Sequence, residues 1–319
     1  MAVEIVQFGA PASLQNFGQT GLRAYGVTVG GVMDKDSAAI PNLLVGNEVE
    51  AAVIEFTQPG LTVRFLQDAW VAVGGAQMSV TLDGSEISMW RAVFVERGCV
   101  LRCALNGDGV WAYLAVAGGF CFANDGAITS DRGVVSGMRL SIATDGHHST
   151  GTSLNPKRMT QMRAQPPQRN RQRIQRDGGT TVHLIRVLPG EHVSLWPTAL
   201  FADWFKQPFR VSHQRNRIGY RLEGKPLPLN TNLPSQPVVA GTVQLPPSGL
   251  PIVLQADCQT IGGYPVIAHV IEADLGAMAQ VGAGQLVCFQ EVTMEMARAA
   301  WMRQRMDWQQ LKVGLACCR

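Results

Sequence analysis

Polar and apolar positions alternate through much of the chain with the period of a half-buried strand. Val80 and Leu82 stand on one side of Asp83-Gly84, Ile87 and Met89 on the other, with Thr81, Ser85, Glu86 and Ser88 between them, the pattern of a tight β-hairpin. Val93 and Val95, then Gly98 and the run Val100 to Leu105, repeat it. The second half follows the same grammar. Val182, Leu184 and Arg186 to Leu188 are followed by Thr242 to Leu245, a Pro246-Pro247-Ser248-Gly249 turn, and Ile252 to Gln255. Helical segments are few. Asp34 to Val45 begins with an acid and contains Pro41, which is expected to shorten or bend it. A short helix is expected after Thr198, and a longer one from Thr293 to about Trp308, where Thr293 can cap and Glu295 suits the N-terminal dipole. Short strands, frequent turns and sparse helices predict a mainly β chain of barrel or sandwich subdomains.

Composition narrows this further. The chain has 319 residues, about twice a typical domain, with 46% hydrophobic residues, 16% charged residues and 34 glycines. That is too apolar for disorder and too light in Lys and Glu for a mostly helical protein. The longest apolar stretch, Val110 to Ala123, is interrupted by Gly118 and Gly119 and falls short of the roughly 20 residues a bilayer span needs. Glu4 precedes the first basic residue, Arg23, and no long apolar segment follows the start, so the expected location is cytoplasmic, with no membrane partner. Net charge is +3 but uneven: Lys157, Arg158, Arg163, Arg169, Arg171, Arg173 and Arg176 occur without an intervening acid, leaving the rest net acidic. With Pro156, Pro166, Pro167 and several Gln, residues 151–180 read as a solvated basic Arg/Gln linker. The expected organisation is a β-rich subdomain over 1–150, this linker, a β-barrel subdomain over 181–292, and a helix and tail over 293–319. No nucleic-acid partner is expected, because no recognised module flanks the basic run.

Common chemical motifs are absent. The seven cysteines include no CxxC pair and the six histidines no HExxH, so neither a disulfide framework nor a protein-bound metal is expected. GxxxxGK[ST], GxGxxG and GxSxG are missing, and none of the five lysines has a Met-Lys-Met setting, so no biotin attachment is expected in this chain. Three segments are richer in polar chemistry. Gly30-Gly31 and Asp34 precede a helix start that can bind an anion, although Asp34 is equally a favoured N-cap. Asp257, Gln259, Thr260, Gly262-Gly263, Tyr264 and His269 place a carboxylate, amide, hydroxyl, phenol and imidazole around a Gly-Gly turn, and can supply a base and hydrogen-bond donors. His269, in the apolar run Val266 to Ile271, is equally a partnered core imidazole. Arg217, Tyr220 and Arg221 form a third cluster, in which Arg217 either clamps a carboxylate or pairs with Glu223 or Glu272.

At these residues the chain resembles the allophanate hydrolase subunit 2 family, also called the biotin-dependent carboxyltransferase family, whose members include the C-type subunit of 5-oxoprolinase and the antagonist of the sporulation kinase A inhibitor. The matching residues are Tyr25-Gly26-Val27, Gly31-Val32-Met33-Asp34, Asn42-Leu-Leu-Val-Gly-Asn47, Trp90-Arg91, Ala112-Tyr-Leu-Ala-Val-Ala-Gly-Gly119, Arg217-Ile-Gly-Tyr-Arg-Leu-Glu-Gly224, Gly241-Thr-Val-Gln-Leu-Pro-Pro247, and Asp257 with Gln259-Thr260 and Gly262-Gly-Tyr-Pro265. The resemblance implies cyclophilin-like β-barrel subdomains and a subunit 1 homologue as partner. It implies a 5-oxoprolinase-type complex with a third subunit, opening 5-oxoproline to glutamate with ATP bound at a shared site. The alternatives are half of a urea carboxylase-type carboxyltransferase, or a non-catalytic regulatory partner of a subunit 1 homologue. An amide-like small molecule is the implied substrate. Asp257, Gln259, Tyr264 and His269 are the expected catalytic residues, and Arg217, Tyr220, Gly262, Gly263 and Asp34 the expected substrate-binding residues. Asn16, Gln19 of Gly18-Gln19, Gly30 of Gly30-Gly-Val-Met-Asp34 and Trp111 depart from the family pattern, which implies a changed substrate or a lost activity in the first half.

Overall fold

Local chemistry carries directly into the computed structural model, which describes residues 2–8, 12–121, 133–142, 164, 173–176, 180–227 and 233–317. Asp83 and Gly84 adopt φ of 48° and 85°, the left-handed pair that closes a twisted two-residue hairpin. The chain divides into two units. The first comprises Met1–Gly18, Asp34–Pro167 and Met306–Arg319; the second comprises Gln19–Met33 and Gln168–Arg305.

In the first unit the strands are β1 (Val3–Phe8), β2 (Ser13–Gln15), β3 (Val53–Phe56), β4 (Gly60–Phe65), β5 (Ala69–Gly75), β6 (Met78–Leu82), β7 (Ser85–Ile87), β8 (Val93–Val95), β9 (Val100–Leu105), β10 (Ala112–Val116), β11 (Phe120–Cys121) and β12 (Arg139–Ile142). They form one sheet ordered β11-β12-β1-β4-β9-β6-β7 and another ordered β2-β3-β10-β5-β8. Ile5, Leu61, Val63, Phe65 and Leu101 from the first sheet share one buried cluster with Ile54, Phe56, Val73 and Leu114 from the second, as two sheets packed face to face would. Helix α1 (Lys35–Leu44) contains Pro41 yet continues to a C-cap at Val45, and so is not ended by it. Gly74 of β5 admits the ring: a Cβ there would stand 2.5 Å from Pro41 Cγ and 3.0 Å from Ser37 O.

The second unit contains β13 (Arg173–Arg176), β14 (Thr180–Pro189), α2 (Thr198–Phe205), β15 (Phe209–Arg215), β16 (Gly219–Glu223), β17 (Gln236–Pro237), β18 (Thr242–Gln244), β19 (Ile252–Leu254), β20 (Ile261–Gly262), β21 (Val266–Val270), α3 (Leu275–Ala279) and β22 (Leu286–Glu291). The order β14-β21-β18-β19-β16-β15-β22 returns to β14 through a parallel β14–β22 ladder, closing a barrel and removing its edges. Val182, Val187, Phe209, Val211, Tyr220, Val243, Val253 and Val287 are completely buried. The mainly β fold with few helices is therefore present. Most of the basic segment over 151–180 lies outside the described residues, but Arg173–Arg176 pairs antiparallel with β14 rather than running open; it stands at the end of the strand order, and charged residues suit an edge strand.

Helix α4 (Met294–Cys317) starts under a cap in which Thr293 Oγ1 accepts from Met296 N at 3.3 Å. It runs past the expected end near Trp308 because Gln309-Gln310-Leu311-Lys312 are good helix formers. Its later turns belong to the first unit, where Trp308 Nε1 donates to Asp36 Oδ1 at 2.8 Å. Among the described residues no helix is long and apolar enough to cross a membrane.

Candidate functional site

The polar loops of the second unit are fastened together by two arginines. Arg217 follows β15 in an Asn216 turn, where Asn216 Oδ1 accepts from the Ile218 and Gly219 amides at 2.9 and 3.1 Å. Its Nε donates to Asp257 Oδ2 at 2.6 Å and its Nη2 to Asp257 Oδ1 at 2.8 Å. The same Nη2 donates to Gly31 O at 2.6 Å. Arg217 is thus clamped on Asp257, a carboxylate that sequence proximity did not offer. Asp257 is 40 residues away, and the backbone docks it there, with Asp257 N donating to Arg217 O at 2.9 Å. The geometry is a two-toothed guanidinium–carboxylate fork, with side-chain exposures of 12% and 20%.

Arg23 is the second fastener. It donates through Nη2 to Val238 O and to Thr260 O, tying the 19–33 segment to the two-stranded ladder of β17 and β20. Arg23 also lies against Cys258: burial raises that thiol above its ordinary value, against the opposing charge and hydrogen bond of Arg23. Nothing local in the sequence singles out Arg23, because the two carbonyls it donates to lie more than 200 positions away.

Gln259, Gly263 and Tyr264 are exposed on the fastened loop, Gly262 is half-buried, and Asp257 has both oxygens engaged by Arg217. Tyr25, Val27, Ile218, Val239 and Ile261 are further exposed apolar side chains on the segments joined by the two arginines. Beneath β20 lies Gln244, the last residue of β18, only 1% exposed. Among the described residues, three buried side-chain nitrogens lack a hydrogen-bond partner: Trp196 Nε1, Gln244 Nε2 and Gln255 Nε2. Gln244 lies within the Gly241-to-Pro247 motif, whose one long polar side chain between Val243 and Leu245 was the available signal.

Three expected site residues stand elsewhere or are occupied. Tyr220 is completely buried and its hydroxyl donates to Ala279 O at 2.8 Å, so it holds the barrel rather than facing a ligand. His269 is not a fully buried core residue: its Nε2 is 3.1 Å from Glu191 Oε1. Burial disfavours ionised Glu191, but its own backbone amide and the hydrogen bond and charge of His269 outweigh that and hold the carboxyl below its ordinary range. The pair lines a cavity of about 670 Å³ with Leu188, Glu291, Thr293 and Met294, and none of Arg217, Asp257, Gln259 or Tyr264 lines it.

Asp34 belongs to the first unit, where its carboxylate accepts from Ser37 N at 3.2 Å and Ser37 Oγ at 2.6 Å. It is an N-cap, 3% exposed. Its amide donates to the Tyr113 hydroxyl at 2.8 Å, and burial first, then the Glu55 and Asp34 charges, push that phenol well above its ordinary pKa. Among the described residues no three His, Cys, Asp or Glu side chains converge as a metal site.

Residues 25–291 match the model of the carboxyltransferase domain, subdomain A and B. The chain is 33% identical to the C-type subunit of 5-oxoprolinase from Escherichia coli (strain K12), over 97% of each chain. It is 32% identical to the corresponding 5-oxoprolinase subunit of Haemophilus influenzae, over 92% of this chain and 93% of that protein. The solved K. lactis urea amidolyase superposes with a TM-score of 0.82 at 23% identity; 97% of this chain aligns, spanning one fifth (20%) of that longer chain.

Proposed function

We propose that this chain, which belongs to the family of the carboxyltransferase domain, subdomain A and B, works as one subunit of a 5-oxoprolinase-type complex. In this reading it acts with a subunit 1 homologue and a third subunit to open the lactam of 5-oxoproline to glutamate, with ATP at a site shared with those partners. The observation that carries the reading is the match to two 5-oxoprolinase subunits of the C type along nearly the full length of both chains.

The chemistry suits the loop cluster. Opening a lactam adds the elements of water: hydroxide goes to the carbonyl carbon, the carbon–nitrogen bond breaks, and the nitrogen leaves with a proton. Negative charge develops on the carbonyl oxygen, which positioned donors stabilise. The Arg217–Asp257 fork holds the Gly31, Ile218 and Asp257 segments at fixed spacing, and Gln259 and Tyr264 project from the fastened loop as polar groups for substrate. In this role Asp257 works through Arg217 as a positioning residue. The exposed Tyr25, Ile218 and Ile261 around it give a partner subunit apolar surface to cover.

The test is reconstitution of the purified chain with its subunit partners. ATP hydrolysis that rises on addition of 5-oxoproline is the expected result, and a stoichiometric complex with no such response sinks the reading. Asp257→Asn is expected to lower turnover while leaving the complex assembled. A second reading, half of a biotin-dependent carboxyltransferase acting on urea, is favoured by the match to a carboxyltransferase domain. Carboxyl transfer from a carboxybiotinylated partner to urea, without a 5-oxoproline response, is the result that selects it.

A further inference from the structure

Among the described residues, the amide nitrogen of Gln244 finds no acceptor. It ends β18, where Val243 on one side is completely buried, so period-two alternation turns Gln244 to the other face. On that side lies a small apolar cluster of Val238, Leu254, Cys258 and Val266, under β17 and β20. An amide donor without an acceptor in such surroundings is costly, and an apolar side chain of the same shape would be cheaper. Its Nε2 is covered by Gly262, where an added Cβ would stand only 2.6 Å from that nitrogen. A side chain at 262 would have to displace the amide, whereas glycine lets β20 lie directly on it. At the neighbouring Gly263 an added Cβ would meet nothing nearer than 3.6 Å, so the outer side of the loop is open. The cover is also slight: β20 is two residues long and pairs with the two residues of β17, through Gln236 opposite Gly262 and Pro237 opposite Ile261.

We propose that Gln244 is a substrate-binding residue whose donor is uncovered when the Gly262-Gly263 segment lifts, and that its Nε2 then donates to the carbonyl oxygen of a cyclic amide. The inference rests on the loop cluster being the substrate site and deepens that reading by assigning the lactam oxygen to a named donor. A neutral amide suits a neutral carbonyl in the ground state, and its hydrogen bond strengthens as charge builds on that oxygen. Uncovering the donor relieves its unsatisfied burial, so ligand entry and loop movement favour one another.

The test uses the full chain and its reconstituted complex with two variants. Gln244→Met keeps the length and removes the donor; Gly262→Ala keeps the donor and places a methyl group against it. Binding is measured by calorimetry with 5-oxoproline and with proline, which keeps the ring and carboxylate but has no lactam oxygen. Gln244→Met is expected to melt at or above the wild-type temperature without ligand, to bind 5-oxoproline roughly tenfold more weakly, and to bind proline as the wild type does. Gly262→Ala is expected to weaken 5-oxoproline in the same sense. A Gln244→Met complex that binds 5-oxoproline as tightly as a responsive wild type overturns the assignment and leaves the functional reading standing. A melting temperature several degrees below wild type also overturns it, since the amide would then be bonded within the fold. A wild-type complex that does not respond to 5-oxoproline overturns the functional reading and this assignment together.

Discussion

Replacing Arg217 by lysine probes the fastening of the loop cluster most directly, because it keeps the charge and removes the fork. Arg217 makes at least three charge-assisted hydrogen bonds, two to Asp257 and one to Gly31 O, at 2.6 to 2.8 Å. Lysine's single ammonium can reproduce one of them in that geometry. Bonds to charged groups contribute about 1.5–3 kcal/mol each. Asp257 keeps 20% of its side chain exposed, so water recovers part of the loss, and a net cost of about 2–3 kcal/mol follows. For a unit of this size, at about 2–4 °C per kcal/mol, the second unit's melting temperature falls by roughly 4–12 °C. Urea unfolding followed by near-ultraviolet circular dichroism measures the energy, and a cycle with Asp257→Asn isolates the pair, with a coupling of at least about 1.5 kcal/mol expected. Arg217→Lys within about 0.5 kcal/mol of wild type, or a coupling near zero, refutes the claim that this fork holds the loops.

Three further outcomes follow from other parts of the chain. Asp34→Ala removes a cap that accepts from both Ser37 N and Ser37 Oγ; denaturant titration is expected to show a loss of about 1–2 kcal/mol, and no loss would mean that the helix start is held by something else. Gly74→Ala would place a methyl group 2.5 Å from Pro41 Cγ and 2.8 Å from Trp90 Cζ3, an overpacking expected to cost about 1–3 kcal/mol; an unchanged melting temperature would show that α1 yields freely. Glu191 is held below its ordinary range in the folded chain. Its contribution is therefore present above the unfolded carboxylate range, near pH 4.3, and is lost as pH falls through the lower folded value. Wild type is expected to exceed Glu191→Gln by about 0.5 kcal/mol or less at pH 6, with the two curves meeting below about pH 4 in thermal melts; parallel curves across that range refute it.

What could be read from the chain alone was local. The Asp83-Gly84 hairpin and the Asp34 cap are set by residues within a few positions of one another, and both are present. The helix after Thr198 and the Thr293 cap are of the same kind. Tyr220 was expected to bind substrate against a contrary local signal: in Gly219-Tyr-Arg-Leu-Glu223 the period-two pattern buries Tyr220 and Leu222 and exposes Arg221 and Glu223, so alternation alone sets the phenol in the barrel wall. Arg217 was not legible in the same way. Glu223 is six positions away but points outward on β16, while Asp257 arrives only through the barrel's closure.

A common physical reason underlies the misses. Beyond the Asp257 carboxylate, the acceptors are main-chain carbonyls: Gly31 O for Arg217, Val238 O for Arg23 and Ala279 O for Tyr220. Every residue has a carbonyl, so residue type carries no trace of which one the fold will present. A donor's obligation is visible in the sequence, while the acceptor that meets it is decided by tertiary structure. The same asymmetry makes Gln244 informative. Arg23, Arg217 and Tyr220 each find an acceptor within the second unit, whereas the Gln244 amide, equally committed to the interior, finds none among the described residues. Trp196 Nε1 and Gln255 Nε2 share that state, but Gln244 alone of the three lies against Gly262 of the exposed loop, which is why the carbonyl oxygen of the proposed chemistry is assigned to it.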